Sequence, residues 1–380
     1  MNVHAFPSAL FEPIAFAKGI SLRNRIAMAP MTTWSANPDG TISDQEIAYY
    51  RRRATGVGLV LTGCTHVQDN GIGFTDEFAG HDDRFVPSLR RLAEAARSGG
   101  GVAILQIFHA GNKANPALIP DGDVVSASAL NAQAGPFNSG DVVSRAMSHE
   151  EIVAAIRAFG QTTRRAIEAG FDGVELHGAH GFLLQNFLSP RFNQRSDEWG
   201  ATDEGRLQFP LAVLREVRRV IDAHASRPFL VGYRLSPEES MEGGLRLEHT
   251  RALIDRLIDN GLDYLHASLV DVLHARPVDA VDERLTATLI VEHVAGRVPV
   301  IAAGQIRTPG QADAALALGL SLVAIGKGLV MNPQWVEQAM QQAPIATALS
   351  SADVQHLDIP DKLWLTIQAT QGWFPVQPHS

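Results

Sequence analysis

The stretch "ELHGAHGFLLQNFLSP" (175–190) sets two histidines three residues apart, His177 and His180, with Phe182 two residues further on. Imidazoles this close at the end of an apolar run can share a metal ion, relay protons or hold a developing oxyanion. A catalytic zinc needs three protein ligands, and spacing fixes no third one. His66, His109 and His266 also stand near the ends of apolar runs, so the metal reading stays open. Arg234 lies inside "FLVGYRLS". A buried guanidinium cannot be neutralised and needs an anionic partner, here Glu175, Glu238 or a ligand. Gln106 ends "GVAILQI". Its amide must satisfy both a donor and an acceptor, as the edge of a heteroaromatic ring would do. "AAGQI" and "AIGKG" place Gly304, Gln305, Gly326 and Lys327 at two turns. Backbone N–H groups and a cation there suit a phosphate, although tight turns alone would also call for the glycines.

These residues share one feature: each ends a short, continuously apolar run. The runs are 25–30, 57–63, 101–107, 171–177, 229–236, 262–268, 298–304 and 322–328. Continuous rather than alternating apolarity predicts strands buried on both faces. Helical periodicity separates them at 84–98, 149–169, 204–224, 246–260, 286–296 and 308–319. Ser43 with Glu46, and Ser148 with Glu151, have capping-box spacing, while Gly170, Gly261 and Gly319 close helices. Eight strand–helix units predict an α/β (β/α)8 TIM barrel, whose active site lies at the C-terminal ends of its strands. A doubly wound open sheet is the alternative, weakened because no GxGxxG follows the first strand. A long loop insertion is expected after strand 3, over 110–147, and a second loop over 183–203. Residues 1–340 would form a single barrel domain. Residues 341–380 would be an extension that docks on the barrel, or on a neighbour in a homo-oligomer, because Trp364 and Trp373 are costly to expose.

The chain has 380 residues, a net charge of −9 and one cysteine. That charge argues against nucleic acid and anionic membranes as partners. One cysteine allows no internal disulfide, no Cys-based zinc site and no iron–sulfur cluster. The N-terminus lacks the pattern of a signal peptide, and no apolar run reaches the ~20 residues of a membrane helix. A cytoplasmic protein is expected.

In order and spacing, "LRNRIAMAPMTT", "LQIFHAG", "GFDGVELHGAHGFLLQNFLSPRFNQRSDEWG", "RLSPEE", "IAAGQI" and "AIGKGLVMNP" resemble the old yellow enzyme family, nearest its bacterial NAD(P)H-dependent flavin oxidoreductases. The resemblance spans nearly the whole chain. It implies FMN as cofactor, NADH or NADPH as reductant, and a small electrophilic acceptor as substrate: an activated C=C bond next to a carbonyl or nitro group, or a quinone. It also implies site roles. Ala29, Pro30, Met31 and Thr32 would line the flavin, with the Thr32 hydroxyl near N5 and O4. Cys64 would face the ring and Gln106 would bond its pyrimidine edge. Arg234 would sit by N1 and O2. Gly304, Gln305, Gly326 and Lys327 would hold the phosphate. His177 and His180 would hold the substrate's oxygen, and Trp34 would shape the substrate pocket or simply pack.

The departures are informative. The family usually has tyrosine at position 182 as the acid that protonates the α-carbon, and this chain has Phe182. Such an acid is typically worth ~10²–10⁴ in rate. The proton would then come from water, and acceptors that need little protonation would be favoured. Lys327 stands for a common arginine at the phosphate, and Asn112 for an arginine after "HAG". A metal-dependent barrel hydrolase or lyase built on the histidines, and a weakly catalytic flavoprotein with a sensing role, are the competing readings.

Overall fold

The computed structural model describes residues 8–377, apart from 136, 138, 139, 282 and 353. Eight parallel strands close into a ring: β1 (Ile26–Met28), β2 (Leu59–Leu61), β3 (Val102–Phe108), β4 (Gly173–Gly178), β5 (Leu230–Leu235), β6 (Tyr264–Ser268), β7 (Val300–Ala303) and β8 (Leu322–Ile325). The ring closes where β8 pairs with β1 and β3 with β4. All eight apolar runs became strands of this (β/α)8 barrel. Both faces of each strand are buried, so one side chain in two points to the interior and the next packs under helices.

The interior carries Ile104, Leu230, Tyr264, Ile301, Leu322, Leu59 and Leu61 as one apolar cluster. Gly232 makes room for it, since an added Cβ would lie 2.0 Å from the Tyr264 ring. The N-terminal end is closed by an antiparallel hairpin, Ile14–Ala15 with Ser21–Leu22, whose Phe16 ring lies 5.4 Å from that of Tyr264. The strand ends that remain open are therefore the C-terminal ones.

The outer ring comprises α1 (Asp44–Arg53), α2 (Val86–Arg97), α3 (His149–Ala169), α4 (Leu183–Leu188), α5 (Asp203–His224), α6 (Leu247–Asp259), α7 (Thr286–Val294), α8 (Pro309–Leu316), α9 (Lys327–Met331) and α10 (Trp335–Met340). Ser148 and Glu151 form a complete capping box at the start of α3, worth about 1 kcal/mol. α3 then buries Ile152, Ala155, Phe159 and Ala166. Gly170 ends it in the left-handed region at φ 93°.

Residues 183–203, expected to be a loop, begin with a helix. α4 reads LLQNFL and all six residues are buried. Its polar pair is fully spent: Gln185 Nε2 donates to Glu239 Oε1 at 2.8 Å, and Asn186 Nδ2 donates to the Gly181 carbonyl at 2.9 Å. The described residues of the 110–147 insertion carry short turns, a two-residue parallel ladder, Val125–Ser126 with Arg145–Ala146, and a single bridge between Asn131 and Val143.

After α10 the chain packs across α1 and forms α11 (Asp361–Ala369), which buries Leu363 and Ile367, before Val376–Gln377 pairs with Leu349–Ser350. Arg53 of α1 is the latch. It is fully buried without a carboxylate and instead donates to the carbonyls of Val330 (3.1 Å), Leu357 (2.7 Å), Asp358 (3.4 Å) and Tyr49 (3.2 Å). Among the described residues no helix is long and apolar enough to cross a membrane.

Candidate active site

A layer of polar side chains lies across the barrel just below the open rim. Register puts Gln106 of β3 beside Glu175 of β4, and Arg234 of β5 beside His266 of β6. Gln106 Nε2 donates to Glu175 Oε1 at 2.8 Å, and His266 Nδ1 meets Glu175 Oε2 at 3.0 Å. Burial opposes ionisation of Glu175, yet His266, Arg234 and Gln106 outweigh it and hold the carboxyl below its usual range. His266, fully buried, is pushed towards its neutral form. Among the described residues Arg234 has no ion-pair partner: its Nη2 donates to Ser268 Oγ at 3.0 Å, and its buried Nε has no hydrogen-bond partner. Glu175 supplies the compensating charge from the neighbouring strand. Glu238 is occupied elsewhere, accepting from Leu247 and Val278 N–H groups.

Above this layer stand the two histidines, ring centroids 5.1 Å apart and nearly perpendicular. Ala179 N–H donates to His177 Nδ1 at 3.3 Å, so the imidazole proton belongs on Nε2. Burial, and then the charges of His180 and Arg234, hold its pKa well below the ordinary value. His180 Nε2 lies 2.7 Å from the same Ser268 Oγ that accepts from Arg234. A guanidinium can only donate, so the hydroxyl's own proton is free for His180 Nε2. The His180 proton then sits on Nδ1. Burial is a weaker argument for His180, whose side chain meets solvent, but Arg234 and Lys113 also press it towards neutrality. Both rings thus stay neutral near pH 7, each with one N–H to offer.

Phe182 fills the corner between them, 4.9 Å from His177 and 6.4 Å from His180 by ring centroids. Phe108 and Phe74 back it at 5.0 and 6.1 Å. Tyr49, Tyr50, Tyr233 and Tyr264 are each no more than 1% exposed, so none can present its hydroxyl in the open rim. Thr32 Oγ1 and Cys64 Sγ meet at 3.4 Å on the adjoining side. Burial pushes the Cys64 thiol far up, so it stays protonated and unreactive.

At the β7 and β8 ends a cavity of about 190 Å³ is lined by Ala29, Pro30, Met31, Arg234, Gly304, Gln305, Gly326 and Lys327. Gly304 is required by close approach, because an added Cβ would lie 2.5 Å from the Leu269 carbonyl. Lys327 and Arg307 join Arg234 in lining it; burial, with Arg307 adding to it, lowers the Lys327 pKa. Lys327 Nζ also donates to the Trp373 carbonyl at 2.5 Å, and the Trp373 indole stands edge-on to Trp34 at 5.6 Å. A wider cavity of about 610 Å³ opens beside His180, with Lys113, Gln185 and Glu239 in its wall. Lys113 Nζ donates to the His180 carbonyl at 2.7 Å.

Three rim residues hold left-handed backbones without being glycine: Trp34 (φ 51°), His180 (φ 60°) and Gln305 (φ 57°). Such conformations cost on the order of 1–3 kcal/mol each and cluster at working sites. At His180 the cost is offset by anchors on both sides, its N–H to Ser236 Oγ at 3.0 Å and its carbonyl to Lys113.

Pairwise contacts join His177, His180 and Phe182, Thr32 and Cys64, and Trp34 to Phe182 through Phe74, while Gln106 reaches Glu175 and Arg234 shares Ser268 with His180 and lines the cavity that holds the glycine turns. Sequence reasoning missed Ser268, Arg307 and Lys113. The run "LDYLHAS" ending in Ser268, and the arginine directly after "AAGQI", were the available signals. Among the described residues no three His, Cys, Asp or Glu side chains converge as metal ligands. His66 and His109 are engaged elsewhere, with Glu77 at 2.8 Å and Asn70 at 3.2 Å.

A model of the NADH:flavin oxidoreductase / NADH oxidase family matches residues 9–345. The chain belongs to this family. It is an NAD(P)H-dependent flavin oxidoreductase of the old yellow enzyme type, with FMN as cofactor. Over 96% of its length it is 43% identical to the probable NADH-dependent flavin oxidoreductase YqiG of Bacillus subtilis, 97% of which is covered. It is 37% identical to the NADH:fumarate oxidoreductase of Klebsiella pneumoniae over 93% of this chain, which spans 38% of that longer protein. Among solved structures, morphinone reductase in complex with tetrahydroNAD superposes with a TM-score of 0.76 at 28% identity, covering 89% of this chain and 92% of that one. The old yellow enzyme homologue from Zymomonas mobilis gives 0.76 at 25% identity, covering 93% and 99%. Membership in this family decides against the metal-dependent hydrolase.

Proposed function

We propose that this oxidoreductase reduces C=C bonds conjugated to a carbonyl or nitro group, and quinones, with His177 and His180 holding the acceptor's oxygen. The observation that carries the reading is the pair of imidazoles, ring centroids 5.1 Å apart, with His177 Nδ1 engaged by Ala179 N–H and His180 Nε2 by Ser268 Oγ, which leaves the other nitrogen of each ring for an acceptor's oxygen.

The residues present fit FMN. Arg234 Nε is an orphaned buried donor, suited to N1 and O2, where the reduced ring gathers negative charge. Gln106 can meet the pyrimidine edge. Thr32 and Cys64 would border the middle of the ring, and Ala29, Pro30 and Met31 its side. Lys327 and Arg307, with Gly304, Gln305 and Gly326, suit the phosphate. Bound there, FMN would supply the hydride chemistry, as the carrier between NAD(P)H and the β-carbon of the acceptor.

The protein's part is electrostatic. His177 Nε2–H and His180 Nδ1–H donate to the carbonyl or nitro oxygen and withdraw charge as an enolate or nitronate develops there. Donors fixed in advance stabilise that charge without reorganising, and removing one such donor typically costs ~10²–10³ in rate. Arg234, through Ser268, keeps His180 in the tautomer this needs. Phe182 gives no proton, so the α-carbon takes its proton from solvent. Quinones and nitro compounds, whose reduced oxygens protonate readily in water, are the favoured acceptors.

The test is the reoxidation rate of NADH-reduced holoenzyme by 2-cyclohexenone. His177→Ala and His180→Ala should each slow it on the order of a hundredfold or more. Unchanged rates in both variants would remove the histidines from the mechanism.

A further inference from the structure

An amide can meet a ring edge in two orientations, and for Gln106 the fold removes the choice. Glu175 lies directly opposite Gln106 in the β3–β4 register and is fully buried. Its Oε1 takes Gln106 Nε2–H at 2.8 Å, and its Oε2 faces His266 Nδ1 at 3.0 Å. Arg234, two residues above the register partner of Glu175 on β5, adds positive field, and the carboxyl is held ionised. An ionised carboxylate can only accept, so it admits the NH₂ end of the amide and rejects the carbonyl end. Among the described residues nothing donates to Gln106 Oε1. The free face of Gln106 is therefore one acceptor, Oε1, beside the second Nε2–H. The pyrimidine edge of a flavin offers the complement: a single N–H, at N3, flanked by two carbonyl oxygens.

We propose that Glu175 is a positioning residue, braced by His266, which locks the Gln106 amide so that its carbonyl receives flavin N3–H and its NH₂ meets an adjacent flavin carbonyl. This rests on the reading above that Gln106 meets the pyrimidine edge. Glu175 itself touches no ligand. Its substitution by glutamine keeps size and shape but gives the position an N–H of its own, which lets the Gln106 amide turn over.

The experiment uses holoenzyme loaded with FMN labelled with ¹⁵N at N3. In the wild type the N3–H resonance is expected downfield and protected from solvent exchange. Gln106→Leu and Glu175→Gln should both move it upfield. Both should also speed its exchange and weaken FMN binding about tenfold, the equivalent of ~1.4 kcal/mol. A shift lost in Gln106→Leu but kept in Glu175→Gln would overturn the positioning role alone. A shift kept in both would overturn the placement of Gln106 at the ring edge, and the positioning role with it. Should Glu175→Gln fail to fold, wild-type holoenzyme with ¹⁵N-labelled glutamine decides. One Gln106 side-chain proton displaced by the carboxylate is expected, and two ordinary amide shifts would overturn the proposal.

Discussion

Phe182 stands edge-on to His177, ring centroids 4.9 Å apart and planes at 82°. A hydrogen-bonding imidazole and a proton-free ring thus share the corner where the family usually keeps a tyrosine. Phe182 is 5% exposed and packed by Phe108 and Phe74, and it lies beside both imidazoles, so an added para hydroxyl has polar neighbours to meet. Phe182→Tyr is expected to raise enone turnover on the order of a hundredfold, the lower end of what a general acid supplies. Quinone turnover should change far less. Steady-state rates for the two acceptors, measured side by side, check this. A variant no faster on the enone would show that solvent already suffices.

Glu46 on α1 carries a second prediction. It is fully buried, bonded by the Thr33 hydroxyl, and its other oxygen has no partner. Burial lifts its pKa from 4.5 to about 7, against the pull of Thr33 and Ser35. The unfolded chain ionises this group near 4.5 while the folded protein keeps it protonated. Its contribution to stability is therefore complete below pH 4.5 and is lost as pH rises through 7. Glu46→Gln should match the wild type at pH 5 and exceed it at pH 8, by at most ~3 kcal/mol. Melting temperatures across that range read this out, and a constant difference between the two proteins would contradict it.

Lys327 tests the phosphate end. Lys327→Ala should weaken FMN binding tenfold or more while leaving riboflavin, which has no phosphate, unaffected. Equal losses for both flavins would mean that the residue acts by tethering the Trp373 carbonyl rather than by meeting the phosphate.

Arg53 tests the latch on the C-terminal segment. Its four carbonyl acceptors span residues 49 to 358, and hydrogen bonds from a charged donor are worth ~1.5–3 kcal/mol each. Arg53→Met leaves those carbonyls unpaired. Limited proteolysis should then cut first after Ala339, in the segment ending at α11. Cleavage elsewhere first would assign the latch to other contacts.

The strands were legible because double-sided burial leaves continuous apolar runs, and the barrel then dictates which end of each run faces the opening. Gln106, Arg234, His177 and Lys327 followed from that rule. Ser268 did not, although it ends the run "LDYLHAS", because a serine at a strand end points to no chemistry until the fold sets it between Arg234 and His180. Arg307 and Lys113 sit on loops whose course only tertiary contacts decide. α4 hid because Gln185 and Asn186 read as surface residues, and their burial depends on Glu239 and Gly181 from elsewhere in the chain. The left-handed backbones at Trp34, His180 and Gln305 go against local preference, so no propensity argument could find them.

The most direct measurement is an anaerobic mixing experiment on the FMN-loaded enzyme, following flavin absorbance. NADH should bleach the flavin quickly; p-benzoquinone should restore its colour quickly and 2-cyclohexenone slowly. That ratio is the mark of hydride transfer to the carbon of an acceptor whose oxygen the histidines hold, without an acid at position 182. Equally fast recovery with both acceptors would contradict the account.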